Sequence, residues 1–213
     1  MTYNIISSGS KGNAVILEDT ILIDCGVSFK AVKPYIGRLC LVLLTHEHGD
    51  HFTDSTVRKL AEERPTLRFG CGIWLLNKLL SCGVSKHMID IYSMDSVNPY
   101  GIFEIEAFQL YHNVLNCGYK ICIGGRRALY ATDTCKITTS APGYDLYMIE
   151  GNYDEDELRE RIARKQAAGA SYINELVVPD NHLSRTDAST WLMENMDVYS
   201  EYVFLHQHKG TSA

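Results

Sequence analysis

Three histidines and an aspartate fall within six residues, at His46, His48, Asp50 and His51. Imidazole nitrogens and carboxylate oxygens are the donors that borderline and hard divalent ions take up. The chemistry open to such a set is metal-assisted hydrolysis, in which bound ions lower the pKa of a water and neutralise charge on the substrate. A solvated polar loop is the plain alternative. It leaves unexplained why three histidines directly follow an apolar run.

Two ions need more donors than one loop supplies. His112, Asp133 and His206 each stand just past an apolar run, the position the first cluster also occupies. Any one of them alone reads as an ordinary polar residue at a strand end. Recurrence at three strand ends favours a common site.

These residues need strands to place them. Short β-type runs cover residues 3–6, 14–17 and 20–23, broken by turn formers, as in an antiparallel meander. The continuous apolar run 40–44 predicts a buried strand that ends in the histidine cluster. Apolar spacing predicts helices over 54–63 and 73–80. Further strands are expected over 89–92, 103–110, 119–123, 128–131, 146–149 and 202–205. Residues 154–168 form a charged helix with acids first and bases last, as the helix dipole favours, and a last helix is expected over 187–196. Strands in two groups, each followed by helices, imply an α+β fold of two facing sheets with helices outside.

With 213 residues, 46% of them hydrophobic, the chain suits one packed domain, 1–213, rather than two domains or a disordered chain. Seven scattered cysteines suit reduced thiols, mostly in the core, rather than a disulfide framework or a zinc knuckle. No run is apolar enough for a bilayer and the N-terminus lacks a signal-peptide pattern, so a cytoplasmic protein is expected. A net charge of -6 argues against a generic duplex binder, whose affinity rests on neutralising phosphates. It leaves phosphate substrates open, because bound ions add positive charge where a phosphate would sit. The Tyr-rich stretch 89–100 suits a homodimer interface, a groove wall or core packing equally.

The motif Thr45-His46-x-His48-x-Asp50-His51 resembles the signature of the metallo-β-lactamase fold, and the order of the later His, Asp and His extends that resemblance over nearly the whole chain. Ser7-Ser-Gly-Ser-Lys-Gly-Asn13, Leu22-Ile-Asp24-Cys-Gly26, Glu150-Gly-Asn-Tyr-Asp154 and His182-Leu-Ser184 are similar to the YycJ/WalJ-like branch, regarded as nuclease-type phosphodiesterases. The resemblance implies a four-layer αββα sandwich. It implies that His46, His48 and His112 hold one ion, that Asp50, His51 and His206 hold a second, and that Asp133 bridges them. Asp24 would support ligands through hydrogen bonds. Histidine-rich ligation favours zinc, while the oxygens of Asp50 and Asp133 leave manganese open.

His182 and His206 compete for the last metal position. In related RNase Z-type enzymes a histidine at a helix start donates a proton, whereas the ligand follows the last strand. His182, with Ser184 and Asp187 at capping-box distance, fits the first role, and His206 fits the second. His208 reads as a solvated tail residue and His87 as a surface or packing residue. Glu150 matches a glutamate that orients the proton-donating histidine and raises its pKa. The catalytic set is then Asp50, orienting or deprotonating water, with His182 and Glu150. The segment between Asp133 and His182 is too short for the inserted domain of β-CASP nucleases, and no arm for gripping tRNA is evident. The Asp50-His51 pair and Asp133 also depart from the ligand pattern of true lactamases. The leading expectation is a nuclease or phosphodiesterase cleaving nucleic acid with two divalent ions. A cyclic-nucleotide phosphodiesterase of the phage anti-Pycsar type is the alternative, and a non-catalytic metal-binding protein a weaker one.

Overall fold

Alternating side chains in the apolar runs point to opposite faces of a strand, and in this chain both faces find a core. The computed structural model describes residues 1–207. Among them, β1 (Tyr3–Ser7), β2 (Ala14–Leu17), β3 (Ile21–Ile23), β4 (Leu41–Leu44), β5 (Arg68–Cys71) and β6 (Ile89–Ile91) lie side by side in chain order. The first three form the expected antiparallel meander, and β3 to β6 run parallel. Their crossovers carry α1 (Phe29–Val32), α2 (Asp54–Glu63) and α3 (Leu76–Ser81).

The second sheet repeats the plan. β7 (Val97–Tyr100), β8 (Phe103–Tyr111), β9 (Leu115–Ile123) and β10 (Arg126–Ala131) are antiparallel neighbours; β11 (Leu146–Glu150) and β12 (Glu201–Leu205) continue the sheet in parallel. Between those last two strands run α4 (Glu155–Ala167), α5 (Val178–Asn181) and α6 (Arg185–Asn195). Asp154 caps α4 by accepting from the Asp156 and Glu157 amides, and Ser184 caps α6 by accepting from the Asp187 amide at 3.0 Å.

Strand alternation sorts the apolar side chains into three layers. On β2 and β4, Ile16, Val42 and Leu44 face the helices with Phe29, Val57 and Leu60, while Val15, Leu17, Leu41 and Leu43 face the other sheet. On β11, Leu146 and Met148 point between the sheets, whereas Tyr147 and Ile149 pack on Ala188 and Leu192 of α6. The result is the expected αββα sandwich. No helix among the described residues is long and apolar enough to cross a membrane.

Three local expectations need correction. β5 and β7 are strands that the residue pattern did not announce: both are four residues long, and each includes a charged or proline residue. Arg68 sits at the start of β5 because Asp90 on the neighbouring strand pairs with it. The helix expected over 73–80 begins as a 3₁₀ turn, Ile73–Leu75. Cys40 is exposed rather than in the core, and Cys122 and Cys135 are half-buried. Tyr92, from the Tyr-rich stretch, is a buried residue between the sheets.

Leu43 is fully buried between the sheets. Leu43→Ala is expected to cost roughly 2–5 kcal/mol, from lost transfer energy plus the cavity, read as a lower urea midpoint.

Candidate metal centre

Both sheets end at one rim, and the polar residues that follow their strands meet there. Asp24 follows β3, His46 follows β4, His112 follows β8, Asp133 follows β10 and His206 follows β12, while Glu150 is the last residue of β11. Six non-glycine residues have positive φ, and three of these are Asp24 (60°), Asp133 (55°) and His206 (50°). A left-handed residue turns the chain sharply as it leaves a strand, and Asp and His tolerate that conformation better than most. The strain is therefore gathered where function is expected.

The motif loop turns on the His48 carbonyl, which accepts from the His51 and Phe52 amides at 2.9 and 2.8 Å. The loop is buttressed by the two glycine-containing stretches near the N-terminus. The Asn13 amide donates to the Asp50 carbonyl at 2.6 Å, and Cys25 donates to that of His51 at 2.8 Å. A Cβ on Gly26 would lie 1.6 Å from the Asp50 carbonyl oxygen, so only glycine permits this contact.

Hydrogen bonds fix which nitrogen each histidine presents. The Thr45 hydroxyl gives its one proton to the Asp24 carboxylate (3.0 Å to Oδ1), so it accepts from His46 Nδ1 (3.0 Å), leaving the lone pair of His46 on Nε2. His112 Nδ1 donates to the Asn181 carbonyl (3.0 Å), His51 Nδ1 to Asp24 (2.7 Å) and His206 Nδ1 to Glu150 (3.0 Å). Each again leaves Nε2 facing inward. His46 Nε2 and His112 Nε2 lie 3.1 and 3.3 Å from His48 Nδ1. Lone pairs do not bond one another, but about 3.3 Å is the ligand spacing of a tetrahedral site with Zn–N near 2.0–2.1 Å.

A second group is formed by Asp50, His51 and His206, with Asp50 Oδ2 3.8 Å from His51 Nε2 and 3.7 Å from His206 Nε2. Asp133 completes a further group with His46 and His51, and so stands between the two sets. Its Oδ2 is 2.6 Å from His51 Nε2, a contact satisfied without an ion only when that nitrogen carries a proton, and the buried His206 Nε2 lacks a partner. Buried polar atoms without partners are rare. Here they face a shared space among nitrogen and oxygen donors, so the residues fit divalent metal ions. All seven expected ligands come together at this rim. His87 is exposed in the turn before β6, and His208 lies outside the described residues.

A family model described as the beta-lactamase superfamily domain matches residues 19–188. The chain belongs to that family. It is 25% identical over 227 residues to exodeoxyribonuclease WalJ of Streptococcus pneumoniae serotype 2, a match covering 95% of this chain and 80% of the relative. Exodeoxyribonuclease YycJ of Bacillus anthracis is 25% identical over 172 residues, 74% of this chain and 65% of that one. The crystal structure of the short form of human tRNase Z superposes with a TM-score of 0.71 at 15% identity, covering 97% of this chain and 93% of that one. That likeness is one of fold.

Within this superfamily domain the supporting residues explain the electrostatics. Burial, reinforced by the neighbouring His51, holds His46 down to about 2, so it is neutral and ready to ligate. Burial opposes charge on His51 and His206 as well, but carboxylates outweigh it. Asp133 and Asp24 raise His51, and Asp50 and Glu150 raise His206 to about 10. An ion at these atoms displaces those protons. Glu150 is fully buried, and burial alone would raise its carboxyl. Hydrogen bonds from His182 Nδ1 (2.7 Å) and His206 Nδ1 hold it below the usual range instead.

Residue types alone did not single out Asn13, Thr45, Asn152 and Asn181. Asn13 reaches toward Asp50 and His51, and Asn152 donates to the His206 carbonyl at 2.9 Å. The available signal was the buried asparagine in each of two quoted segments.

Two outcomes are expected. His206→Ala loses one of two bound divalent ions whereas His182→Ala keeps both, read by metal analysis of the purified proteins. In chelator-treated protein the raised pKa of His206 contributes stability that is fully present below about 6.5 and lost as pH rises through about 10. The thermal midpoint of the metal-free protein should then fall across that window.

Proposed function

We propose that this chain is a hydrolase with two divalent ions, most suitably zinc, that cleaves phosphodiester bonds of nucleic acid, and that residues 1–213 act as one domain. His46, His48 and His112 would hold one ion, Asp50, His51 and His206 the other, with Asp133 between them. When bound, the ions supply charge that lowers the pKa of water and draws in phosphate oxygens.

The observation that carries this reading is His182. It lines a cavity of about 320 Å³ together with His48, Asp50, His112, Asp133 and His206. Its Nδ1 is committed to buried Glu150 at 2.7 Å, so Nε2 is the atom left to give a proton. Burial works against a cationic His182, but the hydrogen bond and charge of Glu150 outweigh it and raise the pKa above 6.5. An imidazole that holds its proton more tightly than a free one and faces a ligand cluster has the makings of a general acid for a leaving alkoxide. Asp50, which lines the same cavity and is 27% exposed, orients the attacking water and takes its proton. The exodeoxyribonuclease names of the two sequence relatives support phosphodiester chemistry. The seven cysteines are free thiols, which suits a cytoplasmic setting.

A small cyclic nucleotide is the second reading, favoured by one observation. Among the described residues no Lys or Arg lines the cavity, whereas a tracked polyanion calls for cations along its path.

Metal-loaded protein offered single-stranded DNA, RNA and cyclic nucleotides should hydrolyse at least one of them; hydrolysis of none sinks both readings. His182→Ala should lower kcat by roughly 10²–10⁴-fold without loss of metal. Because the acid must be protonated, kcat/KM should fall as pH rises through the raised His182 pKa. Glu150→Gln removes the cause of that shift and moves the alkaline limb to lower pH.

A further inference from the structure

Two cavities meet at His182. The first holds the proposed ligands. The second, about 200 Å³, shares Ser10, Asn174, Val178, His182 and His206 with the first. Its remaining walls are Gly9, Asn152 and Gln207, and it touches none of His48, Asp50, His112 or Asp133. It therefore continues the cleft past His182 and His206 and leaves His48, Asp50, His112 and Asp133 behind.

Direction of attack gives this space a meaning. In phosphoryl transfer the attacking and leaving oxygens lie roughly in line on opposite sides of phosphorus. The water belongs with the ions, so the leaving oxygen is at His182 and the group attached to that oxygen continues beyond it. The second cavity is what lies there.

Its lining sets the chemistry of that group. Apart from the two histidines, no side chain around it among the described residues is ionisable. A second phosphate would meet no Lys or Arg among the described residues there, whereas a sugar and base would meet amides, a hydroxyl and the half-buried Val178. Asn152, 5% exposed, has an Oδ1 without a hydrogen-bond partner, and a hydroxyl or amino group is the donor it lacks.

The geometry points to a leaving-group subsite: the second cavity receives the nucleoside whose oxygen departs from phosphorus, with Val178 against its apolar face and Asn174 and Asn152 as polar contacts. This assignment rests on the phosphodiesterase reading. The water oxygen bonds to phosphorus and its proton passes to Asp50. The bond from phosphorus to the sugar oxygen breaks, the electron pair stays on that oxygen, and a proton from His182 neutralises it. Val178, Asn174 and Asn152 set specificity and touch no reacting atom.

The test compares leaving groups of like reactivity, using metal-loaded protein. Thymidylyl-thymidine can release only a nucleoside, whereas the methyl esters of thymidine 3′- and 5′-phosphate can also release methanol, the route that leaves the subsite empty and is followed through its methanol product. Wild type should prefer the dinucleotide in kcat/KM. Val178→Trp, which fills the cavity, should lower that preference ratio by about tenfold or more, the scale on which a pocket separates ligands by size. Thymidine itself should bind wild type, seen by saturation-transfer NMR, and not Val178→Trp. Asn174→Ala, at an exposed position, should lower the same ratio and carries the decision if the Trp variant fails to fold. An unchanged ratio and unchanged thymidine binding in folded variants overturn the assignment. If wild type hydrolyses no phosphodiester but binds thymidine in a Val178-dependent way, the phosphodiesterase reading falls and the cavity remains a nucleoside site.

Discussion

One carboxylate without solvent exposure ties the molecule together. Asp24 Oδ1 accepts from the Thr45 amide and hydroxyl, each at 3.0 Å, and Oδ2 accepts from His51 Nδ1 at 2.7 Å and from the Tyr130 hydroxyl at 3.3 Å. These partners come from the end of β4, from the motif loop and from β10 of the opposite sheet. A charge taken out of water is costly unless hydrogen bonds replace its hydration. The same bonds that compensate Asp24 therefore set the tautomers of His46 and His51 and the approach of the two sheets. Removing such a partner strands the remaining groups, with a typical cost of about 3–5 kcal/mol.

The segment that leads to His182 plays a comparable role on the other wall. The Asn181 carbonyl holds His112 Nδ1, and the next residue is His182 itself. Lys165 on α4 pairs with Glu175 at 2.7 Å and reaches Asn174, fastening the start of this segment. The orientation of His112 and the position of His182 thus depend on one short stretch of backbone, whose side chains Asn174 and Val178 also line the two cavities.

Much of this was legible before any coordinates. Apolar runs that end in His or Asp mark strand ends at a common rim, and two-period alternation with no exposed face marks strands buried on both sides. For that reason β4, α2, β11 and β12 stand where the spacing placed them, and the seven His and Asp side chains meet at one rim. β5 and β7 were hidden because Arg68 and Pro99 read as loop residues until a partner strand supplies the context. The left-handed turns at Asp24, Asp133 and His206 were hidden too, since no glycine marks them. The double use of Glu150 by His182 and His206 is a matter of three-dimensional convergence, and no spacing along the chain encodes it.

The two sheets divide the chain almost at its midpoint, and each half contributes only part of the centre. Asp24, His46, His48, Asp50 and His51 come from the first six strands, and His112, Asp133, Glu150, His182 and His206 from the second six. During synthesis the first half emerges with an incomplete set of donors, and Val15, Leu17, Leu41 and Leu43 wait for the second sheet to cover them. His206 follows β12, so the cluster closes only once that strand has docked beside β11. Divalent ions held from both sides would then act as a clasp between the two sheets, and their loss would be felt as a loosening of one sheet from the other.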